Sequence, residues 1–414
     1  MGLRRSLFTL IIVCCCLSMA AQTMTLKEAF RDCWRTCVSV NQWQVQAEKA
    51  SDGVTYTGMV GLDQTADWQV VTKHFDWVVA ENCMKCEVIH PKEGVYDFTL
   101  ADQFVDKARA AGLKVLGHCL IWHSQCAPWF HVDDQGKLVS PEVLKKRMRE
   151  HIITVVSHFK GRVDAWDVVN EAFEDDGTLR KSLFWQILGD DFIPLAFQYA
   201  READPVAELY YNDYSMNKPA KVEGVARFFR PLINQGMPIT AIGMQGHMIL
   251  EDGLDVIRQY DHSVKTITAL GVPTFFSELD LSVLPNPYGF SGANVSDRFA
   301  YSPQMDPYVN SLPADKEEEA NIFWEKFFQM MLTHRDSVLR MGFWNVNDRC
   351  SWRNDFPIRG RHDYATLFDR NNQPKAVVQR LINLVKPQAT LSAPSKKKKN
   401  NHHSTDHVRH GRKS

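Results

Sequence analysis

Two glutamates in this chain stand where paired acid–base chemistry would need them. Glu171 ends residues 166–171, Trp-Asp-Val-Val-Asn-Glu, and Glu278 ends residues 273–278, Pro-Thr-Phe-Phe-Ser-Glu. Each follows a short apolar run of the kind found in the buried strands of parallel sheets. In a parallel α/β barrel, reactive groups lie at the C-terminal ends of the strands. Two carboxylates that converge there suit cleavage of a glycosidic bond, in which one protonates the leaving oxygen and the other attacks or activates water.

Either glutamate taken alone has a structural alternative. A single carboxylate after a strand also suits a helix N-terminus or an ion pair. The rest of the chain therefore has to decide between these interpretations.

The composition narrows the classes of function. The chain has 414 residues, 44% of them hydrophobic and 23% charged, with a formal net charge of −1. This is typical of a soluble globular protein with enough apolar residues for a large core. A nucleic-acid partner is not expected, because binding a polyanion would need a strong basic surplus.

Both ends of the chain differ from its middle. The Arg4-Arg5 pair precedes an apolar stretch, residues 7–17, that is too short to span a bilayer, and small residues follow at 18–21. Residues 1–21 are therefore predicted to be a secretory signal peptide, which would direct the protein to the periplasm or the medium with no membrane attachment after cleavage. An uncleaved membrane anchor is the alternative. Residues 389–414 are basic and His-rich with few large apolar side chains, so a disordered tail is predicted, with metal capture by its histidines as the alternative.

The cysteines do not indicate a disulfide framework. Seven of the ten lie beyond the predicted signal peptide, and an odd number leaves at least one thiol unpaired. Cys83 and Cys86 form a C-x-x-C motif, but it follows a strand-like segment, whereas redox centres usually place this motif at a helix N-terminus. No second pair has the spacing of zinc ligands, so neither a redox centre nor a zinc site is predicted.

Apolar strands and helices alternate through residues 25–388 without a linker. Thr99 is predicted to cap one helix that stops at Gly112, and Ser140-Pro141 to begin the next. Eight strands are predicted: residues 35–40, 78–85, 114–121, the segment before Glu171, 208–214, 239–247, 273–282 and 341–347. This alternation predicts an α/β fold, a (β/α)8 TIM barrel forming one catalytic domain. Two long connections, residues 44–72 and 284–315, are predicted to build a substrate cleft.

Polar and aromatic residues accumulate at the ends of these strands. Sugars need this mixture, because hydroxyl groups take directional hydrogen bonds while the C–H faces rest on aromatic rings. The residues are Glu81, Asn82, Lys85, His118, Trp122, His123, Gln125, Asn170, Asn212, Tyr214, Gln245, His247, Asp280, Trp344 and Trp352.

Through these residues and the segments around them, the chain resembles the endo-β-1,4-xylanases of glycoside hydrolase family 10. The resemblance spans about residues 26–384 and is strongest at residues 80–85, 117–125, 166–172, 210–214, 243–247 and 277–280. It implies an eight-stranded α/β barrel, xylan or xylo-oligosaccharides as substrate, net retention of anomeric configuration, and no metal or other cofactor. We also expect a monomer.

The resemblance also implies roles for individual residues. Glu171 would be the acid/base and Glu278 the nucleophile, with Asp280 in support. Tyr214 would lie near the leaving-group side. The remaining matches would bind sugar or steady the carboxylates: Glu81, Asn82, Lys85, His118, Trp122, Gln125, Asn170, Gln245, His247, Trp344 and Trp352.

Three departures from the family pattern concern substrate preference rather than the reaction. Cys86 replaces a bulkier residue beside Lys85, Cys126-Ala127 replaces a polar-proline pair, and residues 348–352 differ from the usual small-residue loop. Two alternatives stay open at this point. One is the same mechanism on cellulose or a mixed-linkage glucan, and the other is a catalytically silent glycan-binding protein on the same barrel.

The implied roles have a physical logic. Retaining hydrolysis needs carboxyl groups about 5–5.5 Å apart. At that separation anionic Glu278 is expected to raise the pKa of Glu171 and keep it protonated as the general acid. His247 is expected to hold Glu278 ionised and oriented.

Overall fold

The computed structural model describes residues 24–45, 64–288, 290, 295 and 297–386. The predicted signal peptide, residues 1–21, and the predicted tail, residues 389–414, lie outside the described residues. Within the described ranges the chain forms the predicted (β/α)8 TIM barrel.

Short β-branched and aromatic segments form the strands, and all of their pairings are parallel. The described strands are β1 (Arg35–Val40), β2 (Trp77–Ala80), β3 (Lys114–Trp122), β4 (Ala165–Asn170), β5 (Glu208–Asp213), β6 (Ala241–Met244), β7 (His247–Ile249), β8 (Thr274–Ser282) and β9 (Val338–Phe343). Strands β1 to β6 are neighbours in order, β6 pairs with β8, β8 with β9, and β9 with β1, which closes the barrel. The short strand β7 pairs with the outer end of β8.

Helices pack around the barrel. The described α-helices are α1 (Leu26–Phe30), α2 (Gln42–Val45), α3 (Gln64–His74), α4 (Cys86–Ile89), α5 (Thr99–Ala110), α6 (Pro141–His158), α7 (Leu183–Leu188), α8 (Phe192–Ala203), α9 (Pro219–Asn234), α10 (Asp255–Thr268), α11 (Ala314–Leu332) and α12 (Ala376–Val385). Longer helices such as α8, α9, α10 and α12 bury an apolar face. In α10, for example, Val256, Tyr260 and Val264 recur at the four-residue spacing that places side chains on one face, and all three are buried. None of the helices in the described ranges is both long and apolar enough to cross a membrane.

Two of the predicted helix boundaries are confirmed and one is wrong. Ser140 caps α6 by accepting from the Val143 N–H group at 3.4 Å, with Pro141 in the first turn. Gly112 follows the end of α5 with φ +75°, a conformation that glycine adopts without steric cost. Thr99 is not an N-cap but the first residue of α5, because the Asp97 carboxylate accepts from its N–H group instead.

Three of the predicted strand boundaries are wrong. The predicted strand 78–85 ends at Ala80, because a tight turn follows in which the Lys85 N–H group bonds the Asn82 carbonyl. The predicted strand 239–247 is interrupted between β6 and β7, where Gly246 has φ +82°. The predicted strand 341–347 is displaced to β9, since Asn345 has φ +74° and turns the chain out of the sheet.

The lower interior of the barrel is filled by side chains. Trp77, Tyr210 and Phe275 belong to a buried cluster there. The guanidinium of Arg340 lies 5.3, 5.1 and 4.4 Å from the centroids of these three rings. This layer supports the upper ends of the strands, where the predicted site residues lie.

Candidate active site

The C-terminal ends of the strands open into a cavity of about 810 Å³. Most of the residues predicted as catalytic or substrate-binding line its wall. They are Glu81, Asn82, Lys85, His118, Trp122, Gln125, Asn170, Glu171, Gln245, His247, Glu278, Trp344 and Trp352. The barrel therefore brings together residues that lie far apart in the sequence.

Glu171 follows directly after β4, as predicted, and its carboxyl group is held at both oxygens. Its Oε2 atom accepts from the Trp122 indole N–H group at 2.7 Å, and its Oε1 atom accepts from the Gln245 amide at 2.8 Å. The residue has φ +58°, a conformation that costs energy in a residue with a Cβ atom. The surrounding hydrogen bonds hold it there, which aims the carboxyl group into the cavity.

Glu278 lies inside β8 rather than at its end, which corrects the predicted placement. Strand β8 pairs with β6 up to Phe276 and with β7 from Asp280 onward, so Glu278 lies between the two pairings. The break between β6 and β7 therefore leaves its side chain open to the cavity. The Asn212 amide donates to its Oε1 atom at 2.9 Å, and the His247 Nε2 atom lies 3.2 Å from Oε2.

Asn212 and Gln245 brace the two glutamates against each other. The side chain of Asn212 donates to Glu278, and its backbone carbonyl accepts from the Glu171 N–H group at 2.9 Å. Gln245 does the reverse, because its side chain donates to Glu171 and its carbonyl accepts from the Glu278 N–H group at 2.8 Å. Each bracing residue therefore holds the carboxyl group of one glutamate and the backbone of the other.

The environment shifts the two carboxyl groups in opposite directions. Burial raises the pKa of Glu171, and the negative charges of Asp213 and Glu278 raise it further. Burial alone would also raise the pKa of Glu278, but the hydrogen bond and positive charge of His247, with help from His118, hold that pKa below its usual range. The environment therefore favours the protonated form of Glu171 and the ionised form of Glu278, which is the difference that an acid–base pair requires.

His247 is held between two carboxylates. Its Nδ1 atom lies 2.8 Å from Asp280 Oδ2 and its Nε2 atom faces Glu278. Although burial lowers the pKa of His247, the charge of Asp280 and the two carboxylate contacts raise it to about 8. The ring is therefore an imidazolium at neutral pH and donates to both carboxylates.

Asp280 supports this arrangement from behind the cavity wall. It is fully buried, and its Oδ2 atom also accepts from the Trp352 indole at 2.7 Å. The Arg353 guanidinium donates to its Oδ1 atom at 2.8 Å. Burial alone would raise the pKa of Asp280, but Arg353 and His247 lower it, so the anion that orients His247 persists.

Polar residues from the segments that follow β2 and β3 form another part of the cavity wall. The Lys85 ammonium donates to Asn82 Oδ1 at 2.9 Å and to Gln125 Oε1 at 2.7 Å. Glu81 accepts from the Asn345 amide at 2.7 Å. Burial lowers the pKa of Lys85. No group of three or more His, Cys, Asp or Glu side chains in the described ranges is arranged to hold a metal ion.

Tyr214 is the predicted binding residue that does not line the cavity wall. It is buried, and its hydroxyl accepts from Arg180 at 2.6 Å. Arg180 also donates to the Glu171 carbonyl at 3.1 Å, so Tyr214 and Glu171 are joined through this arginine. Its proposed contact with substrate remains a prediction.

Several residues that shape the site were not among the predicted site residues. Asn212 had a signal, since it lies at a strand end beside other polar residues. Asp213, Arg180 and Arg353 had none, because each acts on a group in another segment of the chain. Asp213 acts on Glu171 by like charge, whereas Arg180 and Arg353 donate hydrogen bonds to the Glu171 carbonyl and to Asp280.

Comparison with known proteins identifies the family. Residues 36–384 match the family model described as glycosyl hydrolase family 10. The chain is 44% identical over 316 residues to endo-1,4-beta-xylanase A of Xylanibacter ruminicola, covering 76% of this chain and 85% of that protein. It is 33% identical over 372 residues to an endo-1,4-beta-xylanase of Geobacillus stearothermophilus, covering 88% of this chain and 100% of that protein.

Solved structures give the same result. The fold matches that of a GH10 endoxylanase retrieved from a sugarcane soil metagenome with a TM-score of 0.79 and 35% identity, covering 87% of this chain and 99% of that one. It also matches a xylanase from Paenibacillus barcinonensis, solved with a conduramine derivative, with a TM-score of 0.74 and 31% identity, covering 88% of this chain and 99% of that one. The chain therefore belongs to glycosyl hydrolase family 10.

Proposed function

We propose that this protein is an endo-1,4-β-xylanase, which hydrolyses internal β-1,4-xylosidic bonds of xylan by double displacement with net retention. The observation that carries the proposal is the pair of cross-braced carboxyl groups, Glu171 and Glu278, with pKa values shifted in opposite directions in one cavity. Membership of family 10 and the xylanase names of the relatives support the substrate class.

The first step forms a glycosyl–enzyme ester. Ionised Glu278 attacks the anomeric carbon while protonated Glu171 transfers its proton to the leaving oxygen. The Asn212 amide and the His247 imidazolium orient the attacking carboxylate. Because both donors are already in place, little reorganisation is needed as charge leaves Glu278.

The second step hydrolyses that ester. Once Glu278 is esterified its negative charge is gone, which removes one of the causes that raise the pKa of Glu171. Glu171 then ionises more readily and accepts a proton from the attacking water. The hydrogen bonds from Trp122 and Gln245 favour its ionised form and assist this change of role.

Sugar recognition is assigned to the cavity wall. Asn170 lines the cavity, and its Oδ1 atom accepts from Asn212 at 3.1 Å, which orients its amide for a sugar hydroxyl. A second hydrogen-bonding group on the cavity wall consists of Asn82, Lys85 and Gln125. Aromatic surface comes from Trp344 and from Trp352, whose ring stacks on Phe356 at 4.6 Å.

Hydrolysis assays test this function. Purified protein should release reducing sugar from soluble xylan much faster than from soluble cellulose or mixed-linkage glucan. Glu171→Ala and Glu278→Ala proteins, prepared in parallel, control for contaminating activity. Faster release from cellulose would assign another β-1,4-glycan. Xylan binding without hydrolysis would establish a glycan-binding protein instead.

The location and the oligomeric state belong to the same proposal. Residues 1–21 carry the features of a secretory signal, which supports export of the enzyme without membrane attachment after cleavage. We propose separately that the exported enzyme is a monomer. Mass spectrometry of the secreted protein should find the N-terminus near residue 21 or 22, and light scattering should give the mass of one chain. A retained N-terminus would contradict cleavage of a signal peptide, and a larger mass would contradict the monomer.

A further inference from the structure

Two cysteine side chains lie next to each other beside the cavity. The Sγ atoms of Cys86 and Cys126 are 3.7 Å apart, and both thiols are free. Cys86 is the first residue of α4 and is buried, whereas Cys126 follows the β3 loop and is half-buried. Both positions are departures from the family pattern, and the structure brings these departures into contact.

The backbones that carry the two thiols are also adjacent. The Glu87 N–H group donates to the Gln125 carbonyl at 3.1 Å, and the Gln125 amide donates to the Glu87 carboxylate at 3.0 Å. A disulfide needs the two sulfur atoms about 2.05 Å apart, so they must approach by roughly 1.7 Å. Because the two segments are hydrogen-bonded to each other, closure would need rotation of the two side chains and a small shift of one loop, but no change in the order of the segments.

Each cysteine directly follows a residue of the cavity wall. Lys85 precedes Cys86, Gln125 precedes Cys126, and the Lys85 ammonium donates to Gln125 Oε1 at 2.7 Å. Gln125 has φ +42°, so its position depends on the contacts that hold it. A bond between the two sulfur atoms would therefore change the geometry of this hydrogen-bonded pair.

We propose that Cys86 and Cys126 form a thiol-modification site, in which closure of a disulfide between them weakens sugar binding at the Lys85–Gln125 wall. The effect on sugar binding rests on the proposed xylanase function, whereas the thiol chemistry does not.

The oxidant is a small-molecule disulfide such as oxidised glutathione. The contact with Cys86 and burial raise the pKa of the Cys126 thiol, so its thiolate forms slowly and the exchange needs prolonged exposure. Once deprotonated, Cys126 attacks one sulfur, which releases one glutathione thiolate and leaves a mixed disulfide. The Cys86 thiolate then attacks the Cys126 sulfur, forms the protein disulfide and releases the second glutathione. Two protein thiols are oxidised, one small-molecule disulfide is reduced, and the two protons pass to the released thiolates.

The experiment compares the full-length enzyme after dithiothreitol and after prolonged exposure to oxidised glutathione. Peptide mapping without reduction should find a cross-link between Cys86 and Cys126. The kcat/KM for xylotetraose should fall about three- to tenfold, mainly through KM, which corresponds to the loss of about one hydrogen bond. Dithiothreitol should restore the original value.

Matched variants separate this site from general oxidation. Cys86→Ser and Cys126→Ser should each abolish the change, whereas Cys33→Ser, which replaces a half-buried thiol outside the site, should retain it. Failure to find the cross-link, or finding only glutathione adducts, would overturn the modification site. A cross-link with unchanged KM would overturn its effect on sugar binding. Reduced wild-type enzyme without xylanase activity would instead contradict the proposed function, and the peptide map would still decide the thiol chemistry.

Discussion

Replacing Gln245 with leucine should move one limb of the pH–activity profile and leave the other in place. The Gln245 side chain donates to Glu171 at 2.8 Å, and this hydrogen bond lowers the pKa of a carboxyl group that burial raises. Gln245→Leu keeps a similar volume but removes the donor. The backbone carbonyl that accepts from the Glu278 N–H group is retained.

The size of the shift follows from the lost hydrogen bond. A hydrogen bond to a charged group contributes about 1.5–3 kcal/mol. One pKa unit corresponds to about 1.36 kcal/mol, so the pKa of Glu171 should rise by about one to two units. The active free enzyme needs Glu171 protonated and Glu278 ionised, so activity is lost as the pH rises through the Glu171 pKa. The alkaline limb should therefore move to higher pH by the same amount.

The assay is kcat/KM for xylotetraose as a function of pH, because this parameter reports ionisations of the free enzyme. Gln125→Leu is the matched control: the same replacement in the same cavity removes the contact with Lys85. The control should lower kcat/KM across the whole range without moving either limb. An alkaline limb that stays in place in Gln245→Leu, or moves to lower pH, would refute the assignment of that limb to Glu171.

Three further changes have expected outcomes. His247→Gln removes the positive charge that holds the pKa of Glu278 down, so the acidic limb of kcat/KM should move to higher pH by about one unit or more; an unmoved limb would contradict this. Gly224→Ala places a Cβ atom 2.1 Å from the Gly177 carbonyl oxygen, so the free energy of unfolding measured with urea should fall by about 1–3 kcal/mol. An unchanged free energy of unfolding would show that the backbone at Gly177 moves aside at no cost. Truncation after residue 388 should leave the melting temperature and the activity on soluble xylan unchanged, because residues 389–414 have few large apolar side chains; a loss of either would show that the tail docks.

The sequence was sufficient for the barrel and for the wall residues at and just beyond its strand ends, but not for the part of the wall that comes from later loops, such as Arg361 and His362. Apolar runs that end in polar residues indicate parallel strands, and a closed parallel barrel places all of those ends on one face. For this reason residues as distant as Glu81 and Trp352 could be assigned to one site, and both line the cavity.

The sequence did not predict which strands and side chains pair with one another around the cavity. The predicted strand 273–282 has almost the extent of β8, but the pairing of its outer end with β7, beyond Glu278, is a register that no local pattern encodes. Asp213 influences Glu171 by charge across neighbouring strands, and Arg353 reaches Asp280 from a different loop. The prediction that Thr99 is an N-cap was wrong because the Asp97 carboxylate, two residues earlier, accepts from the Thr99 N–H group. Apart from this local contact at Thr99, each of these outcomes depends on a partner that is fixed only once the barrel has closed.

The most direct test of the account is the stereochemistry of azide products from the two glutamate variants. Glu278→Ala leaves a cavity beside the anomeric carbon, so azide should enter it and yield the glycosyl azide of inverted, α configuration. Glu171→Ala should still form the glycosyl–enzyme from an aryl xylobioside with a good leaving group, because that step needs little acid assistance. Azide should then intercept the ester and yield the retained, β-configured product, as seen by NMR. The opposite configurations would reverse the two roles, and unchanged turnover in either variant would remove that glutamate from the mechanism.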